Sequence, residues 1–575
     1  MSYLTFLSQY NKNPKTVILG YDNQSFTSIA EIVAELKTYE GSKICFETYP
    51  GVNTSFFVEQ LFSNLNPQNV ICSTTALKSK RKIDSMIKRN LTNDRVFGYL
   101  SNHIIEDFYD HKKLKRLSNQ INETKGTQII YGFGASLLPY DVLVYVSLSR
   151  WEIQKRYRNG QSNFNIDNES EDILRKYKRG FFVEWRVADR LKQRLFEKVN
   201  YMIDANQIAN PKMLTLKAYQ QALSKMVSGP FRLVPYFDPG VWGGQWMKEV
   251  CNLDSNMENY AWCFDGVPEE NSVKYVFKNT DFEFPAIDIV FFQSIKLLGE
   301  HVYNRFGAEF PIRFDLLDTM QGGHLSLQVH PLKSYIKEQF GMSYTQDESY
   351  YILDVDEGAS VYLGLKENVD KKAMINDLKK ASKGDLVFDA EKYVNYFPVK
   401  KHDHISIPAG TIHCSGLNTM VLEISATPYI FTFKLWDWNR LGLDGKPRPV
   451  HLKHGLKSIQ YDRDTSWVKK RLINPVKNIN SFSEITGLDE TQFIETRRYR
   501  FIEAIEIYTH ESVNVFNLVQ GKRAVIKAIN GEFEDFIVNY AETVIIPANI
   551  EKFMIESFES LDECTIIKAH VKNKE

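Results

Sequence analysis

The sequence predicts a multidomain chain: an N-terminal α/β domain on a parallel sheet, then all-β jelly-roll domains carrying a helical insertion. Three observations predict it. At 575 residues the chain exceeds what one hydrophobic core ordinarily organises. Residues 1–220 alternate strand-like and helix-like patterns. Beyond Pro230, short strands, Gly/Pro turns and Trp/Phe-rich segments take over. In order, Lys43–Thr48 reads as a buried strand and Thr54–Asn64 as a helix opened by Pro50-Gly51-Val52-Asn53. Thr127–Tyr131 and Asp141–Leu148 read as two more buried strands, and apolar runs between helices imply a parallel sheet with helices on its faces. A charged, helix-rich stretch runs from Arg150 to about Tyr219, and the domain boundary falls at 210–230. The later strands alternate as in an antiparallel jelly roll, interrupted by an amphipathic helix within Lys366–Lys383. A smaller β segment closes the chain after Arg497. There Ile546-Pro547-Ala548 echoes Ile407-Pro408-Ala409 without a histidine. The expected domains are 1–220, 221–495 and 496–575.

Charge is balanced at 71 basic against 71 acidic residues, so the total gives no reason to expect nucleic acid or an anionic membrane as partner. The six cysteines show no C-x-x-C spacing and read as reduced thiols of a cytoplasmic chain. Met1–Thr5 lacks the charged-then-apolar layout of a leader, and no apolar run approaches the ~18 residues of a membrane span.

The most informative run is Leu325-Ser326-Leu327-Gln328-Val329-His330-Pro331. Its alternation puts Ser326, Gln328 and His330 on one strand face, where Gln328 and His330 can reach one small object. Asp347-Glu348 supplies a carboxylate at the start of the apolar strand through Leu353, and Ile407-Pro408-Ala409-Gly410-Thr411-Ile412-His413 places a histidine past a Pro/Gly turn. Each piece alone is more often structural. Together, Gln328, His330, Glu348 and His413 form a mixed N/O set suited to a catalytic divalent metal, Zn²⁺ first, with positions left for water or substrate.

These three segments, in order and flanks, resemble the type I phosphomannose isomerases, metalloenzymes of the cupin fold. Val241-Trp242-Gly243-Gly244 resembles that family's opening Trp-Gly-Gly, and Val421-Leu422-Glu423-Ile424 followed by Leu435–Arg440 resembles its post-histidine segment. The resemblance covers residues 230–575 and implies a metal-binding cupin followed by a metal-free cupin-like sheet. It implies one Zn²⁺ on Gln328, His330, Glu348 and His413. Lys434, Glu423 and Arg440 become candidate catalytic residues, and Trp242 and His324 candidate substrate contacts. The implied activity is aldose–ketose isomerisation of mannose 6-phosphate and fructose 6-phosphate through a cis-enediol. The partner is then a small sugar or sugar phosphate, with oligomeric state open.

The sequence departs from the family where a phosphate would be held. Asp315 stands for a lysine in Pro311–Asp315, Gln346 for another in Thr345–Glu348, and Lys434 for an arginine. Arg and Lys do not bind phosphate equivalently. Arg313, His324, Lys333, Lys337, Lys434 and Arg440 are candidate replacements. An isomerase of a different or unphosphorylated sugar, and a non-catalytic metal- or sugar-binding regulator, are the alternative readings.

The N-terminal part has the strand, turn and helix layout of a phosphate-binding loop, which needs glycines, a lysine and a hydroxyl. With Thr54 as the hydroxyl, Asn53 falls at the lysine, Val52 and Glu47 at the glycines. Three of the four diagnostic positions therefore fail. The domain still resembles a degenerate relative of the P-loop uridine-kinase-like phosphotransferases, through Asp107-Phe108-Tyr109-Asp110 and the Asp141–Leu148 strand leading into Arg150-Trp151-Glu152. Lys155, Arg156, Arg158, Lys176, Lys178, Arg179, Arg186 and Arg190 form a basic cluster. It reads either as a former phosphate site or as a solvated helix face. A relic, a regulatory nucleotide pocket or an interaction module is expected, rather than a kinase.

Overall fold

The computed structural model describes residues 3–426, 429, 431–441, 448–558 and 562–573. Met1 and Ser2 of the segment read for a leader lie outside them. Among the described residues, no helix is long and apolar enough to cross a membrane.

The first sheet has seven strands: β1 (Ser25–Phe26), β2 (Lys43–Thr48), β3 (Asn69–Cys72), β4 (Gln128–Gly132), β5 (Val142–Ser147), β6 (Tyr201–Asp204) and β7 (Lys212–Thr215). Their spatial order is β1-β7-β6-β5-β2-β4-β3. The five strands β2 to β6 pair in parallel, and β7 and β1 add an antiparallel edge. The central strands are buried along almost their whole length, as helices on both faces require. β6 and β7 lie inside the stretch read as helical. Each spans only four residues, too few for alternation to show against the charged helices around them. The helices that matter below are α1 (Thr54–Gln60), α2 (Arg150–Arg158), α3 (Ile173–Arg179) and α4 (Trp185–Leu195), the last two joined by a π-helical turn at Gly180–Glu184.

Two facing sheets follow. One has six strands, including β8 (Arg313–Asp318) and, further along the chain, strands Asp347–Val355, His404–Ile407 and Thr419–Ala426. The other has five, including Leu327–Val329, His413–Ser415 and Phe433–Trp436. The helix Lys371–Ala381 is inserted between strands of the second sheet and is capped by Asp370. The chain ends in a six-stranded and a four-stranded sheet around a separate core of Phe516, Leu518, Ile526, Phe553 and Ile566. The N-terminal segment does not stay with the first sheet. Thr16–Val17 pairs in parallel with Ser272–Phe277, and Tyr10 packs over Arg232.

Within the basic cluster, Lys155 and Arg158 keep side chains 54% and 43% exposed, and the others are bound by the protein itself. Arg156 donates to the carbonyls of Gly51, Ala205 and Asn206 at 2.9–3.1 Å. Lys176 donates to Tyr157 and Glu169 carbonyls, Arg179 pairs with Glu184, and Arg190 donates to the Ser101 and His103 carbonyls. Asp110 caps a helix through Lys112 and Lys113 N–H. The loop after β2 thus offers carbonyls to an arginine, the opposite polarity from an anion cradle. Gly51, at φ +98°, lies so close to Leu148 and Ile153 that a Cβ would meet them at 3.2 Å. Asn53 caps α1 through Phe56 N–H, and Glu47 accepts from Gly134 and Ser136 N–H.

Candidate metal centre

The facing sheets bring the metal set together. Gln328 pairs in register with His413 on the neighbouring strand, and His330 lies just past the end of the Gln328 strand. Glu348 comes from the opposite sheet, at the start of Asp347–Val355. Leu325, Leu327 and Val329 point into the core, as the alternation requires.

Glu348 lies 3.0 Å from His330 Nε2 through one oxygen and 2.8 Å from His413 Nε2 through the other, with all three side chains fully buried. The amide nitrogen of Gln328 is 3.2 Å from His413 Nε2. Each histidine's Nδ1 is 2.9 Å from a backbone carbonyl, Phe431 for His330 and Thr411 for His413. A carbonyl can only accept, so each Nδ1 carries a proton, and Nε2 is the atom that each histidine turns toward the carboxylate. Two imidazole nitrogens and a carboxylate converging in a buried site make a donor set that suits a divalent cation, and Nδ1–H bonded to a carbonyl is the arrangement of metal-ligating histidines. The His330, Glu348 and His413 donor atoms lie within 4.8 Å of one another. The residues therefore fit a divalent metal. Burial alone would raise the pKa of Glu348, but His330 and His413 outweigh it and hold it well below the usual range. Burial also works against a charge on His330, and Glu348 outweighs it and raises the pKa. Gln346, the position expected to have lost a lysine, donates to Glu348 at 3.1 Å and accepts from Phe431 N–H at 3.0 Å.

Beside this set lies a cavity of about 370 Å³ lined by Gln328, Gln346, Trp242, Glu423 and Lys434 among others. Glu423 pairs in register with Asp315 of β8 and with Tyr350. Burial, Glu348 and Asp315 together push its pKa well above the carboxylate range. Asp315 is bonded to Arg313 at 2.5 Å, so one of the expected replacement cations is already neutralised. Lys434 is brought down to about 7 by burial and by Arg448 and Arg440, against the pull of Asp437. Asp437 gathers three cations: Arg440 at 2.7 Å, Arg448 at 2.8 Å and Lys434 at 4.0 Å.

Not every expected residue reaches the cavity. His324 is not among its lining residues. Its ring packs on Trp438 at 4.5 Å and its Nδ1 accepts from Leu417 N–H, which makes it a loop-fixing residue. Arg440 acts through Asp437 rather than at the wall. Asp315, expected at the pocket, lines the cavity; Arg448 and Glu270 line it without having been expected to, and so do Trp151, Gln154 and Tyr177 of the N-terminal part, with Arg158 of the basic cluster beside them. No local motif marks them, because they meet only through the fold.

Residues 27–228 match a family described as a domain of unknown function, DUF8485. The chain is 26% identical over 220 residues to a mannose-6-phosphate isomerase of Streptococcus mutans, covering 38% of this chain and 63% of that protein. It is 22% identical over 346 residues to mannose-6-phosphate isomerase ManA of Bacillus subtilis, 59% of this chain and 99% of that one. These curated relatives are mannose-6-phosphate isomerases. The crystal structure of the Bacillus subtilis mannose 6-phosphate isomerase matches 60% of this chain and all of its own, at 18% identity and a TM-score of 0.48.

Proposed function

We propose that this chain is a Zn²⁺-dependent aldose–ketose isomerase that interconverts mannose 6-phosphate and fructose 6-phosphate through a cis-enediol. The observation that carries the reading is the buried His330, Glu348 and His413 cluster, joined through Gln328 and Gln346 to a cavity that those two glutamines line together with Glu423 and Lys434. A divalent metal on this set supplies electrophilic polarisation of sugar oxygens. A cis-enediol needs one base that takes the proton from C2 and returns it to C1 on the same face. Lys434, with a pKa near 7, is the base in this reading. Glu423, kept protonated by burial and its carboxylate neighbours, donates to a sugar oxygen. Arg448, with Arg440 behind it on Asp437, forms the cationic end that receives the phosphate in place of the positions now held by Asp315 and Gln346. Six free cysteines, five of them buried, fit a reducing cytoplasm.

A second reading, a neutral or different sugar, is favoured by Asp315 and Arg313 neutralising each other and by the aromatic wall of Trp242, Trp262 and Phe264. A coupled isomerase assay on zinc-loaded protein, with mannose 6-phosphate and mannose side by side and a chelator control, separates the two. Chelator-sensitive turnover of the phosphate supports the first reading, and turnover of mannose alone supports the second. Silence on both, with metal bound, leaves a regulatory binding protein.

A further inference from the structure

The cavity that Gln328 and Gln346 line is shared by two parts of the chain that lie far apart in sequence. Its floor comes from the facing sheets. Its other side comes from the N-terminal part, through Phe97, Trp151, Gln154, Arg158 and Tyr177. This roof is fastened on every side. Trp151 stacks on Tyr236 at 4.7 Å and 11°. Arg158 grips Asp238 with two bonds of 2.8 Å. Gln154 and Tyr177 take the two oxygens of Glu270, at 2.8 and 2.6 Å. Behind them, Arg150 is 2% exposed and bridges Asp189 of its own domain to Glu269 of the other.

The part of the α/β domain used here is informative. In open α/β sheets, ligands ordinarily sit outside the carboxyl ends of the strands. Here α2 leaves the carboxyl end of β5, and its Arg156 closes the neighbouring loop after β2. The edge that would serve a ligand of its own therefore faces the metal cavity. His330, Glu348 and His413 are fully buried, with Gln328 on His413 and Gln346 on Glu348 standing between them and the cavity that the roof covers.

We propose that the N-terminal domain is the substrate-gripping roof of the metal cavity, with Trp151, Gln154 and Arg158 selecting a monosaccharide or its phosphate. This rests on the isomerase reading for the ligand class, but not for the closure. Trp151 lines the cavity with its ring stacked on Tyr236 and the Arg158 guanidinium 5.3 Å from its centroid, so it holds both the wall and Arg158 in place. Among the described residues, no other hydrogen bond engages Gln154, whose amide oxygen and second N–H are placed to meet hydroxyls. Arg158 keeps its Nε–H beyond the fork on Asp238.

The test uses the full-length zinc-loaded protein and its Trp151→Ala, Gln154→Ala and Arg158→Ala variants, each checked by circular dichroism. In the first arm, zinc extraction by EDTA is timed. Opening the roof is expected to speed it several-fold in Trp151→Ala, with one zinc per chain retained before the chelator is added. In the second arm, steady-state kinetics and calorimetric binding are run on mannose 6-phosphate and mannose. Gln154→Ala is expected to raise KM about tenfold, the loss of one or two hydrogen bonds, with kcat changed less than about threefold. Unchanged KM and binding in Gln154→Ala and Arg158→Ala, together with unchanged extraction in Trp151→Ala, would overturn the roof. Should the wild-type chain bind neither sugar, the isomerase reading and the sugar selectivity fall. The extraction arm still decides the closure.

Discussion

The proton on each histidine's Nδ1 sets the character of the whole site. Because the Phe431 and Thr411 carbonyls take the Nδ1–H groups of His330 and His413, both rings are turned with Nε2 toward Glu348, the orientation the proposed metal centre needs. Gln346 performs the same service for Glu348 through a 3.1 Å bond. Gln346→Leu is therefore expected to lower zinc affinity about 10- to 100-fold while the fold persists. Competition against a chromophoric chelator reads this directly, and an unchanged affinity would show that Glu348 needs no such anchor. A second residue-scale prediction concerns Glu47, which burial raises to about 7 despite the Gly134 and Ser136 N–H groups. Its folded pKa lies above its unfolded value, so the folded chain binds the extra proton. That contribution is fully present below pH 4.5 and is lost as pH rises through about 7. Urea denaturation of wild type and Glu47→Gln across pH 5 to 8 is expected to show wild type losing stability relative to the variant as pH rises. A pH-independent difference between the two would refute it. The convergence of His330, Glu348 and His413 was legible in sequence because each sits in a local pattern: Gln-x-His on a strand, a carboxylate at a strand start and a Pro-Ala-Gly turn. Arg448 and Trp151 were not, since only the closed fold brings them to one cavity.

At the scale of elements, the decisive piece is α2. It follows β5, a six-residue strand buried throughout, and such a run of Val, Leu and Tyr announces itself in any sequence. What α2 does next is not written locally. Its basic residues look like a phosphate patch or a solvated face by spacing, yet Arg150 and Arg156 are almost completely buried and serve carboxylates and carbonyls. Charge runs carry no signature of burial, because some of the partners that neutralise them lie far along the chain, as Glu269 does from Arg150, 119 residues away. Removing one partner of a buried pair leaves the others uncompensated, at about 3–5 kcal/mol. Arg150→Met is accordingly expected to destabilise the chain by several kcal/mol, because Asp189 and Glu269 both lose their main counter-charge. Arg158→Met, at a pair whose arginine side chain is 43% exposed, is expected to cost about 1 kcal/mol or less. Equal losses for the two, measured by urea denaturation, would mean that α2 is not held where Arg150 suggests.

For the whole molecule, the question is whether the metal-bearing half is a unit at all. The boundary expected at 210–230 separates residues that share one continuous core, which runs from Tyr10 and Ile32 through Tyr219 to Phe433 and Ile459. Three ion pairs with buried or nearly buried partners cross it: Arg150 and Arg186 with Glu269, and Lys192 with Asp288. So does the strand Thr16–Val17 on Ser272–Phe277, and Asn11 is bonded to both Arg232 and Glu542. A fragment beginning at residue 230 would leave Glu269 and Asp288 without these cations. Two such losses at about 3–5 kcal/mol each are comparable to the ~5–15 kcal/mol net stability of a typical domain. They come on top of the exposed apolar face where Tyr236 and Tyr429 now meet Trp151 and Tyr177. Residues 230–575 alone are therefore expected to aggregate or bind hydrophobic dye without a near-ultraviolet dichroism signal. Co-expression with residues 1–229 should restore a soluble, zinc-binding complex, since the contacts that cross the cut are non-covalent. Size-exclusion chromatography with metal analysis reads both outcomes. A monomeric, zinc-loaded 230–575 fragment with native dichroism would make the N-terminal domain an appendage, and its hold on the cavity a contact without consequence.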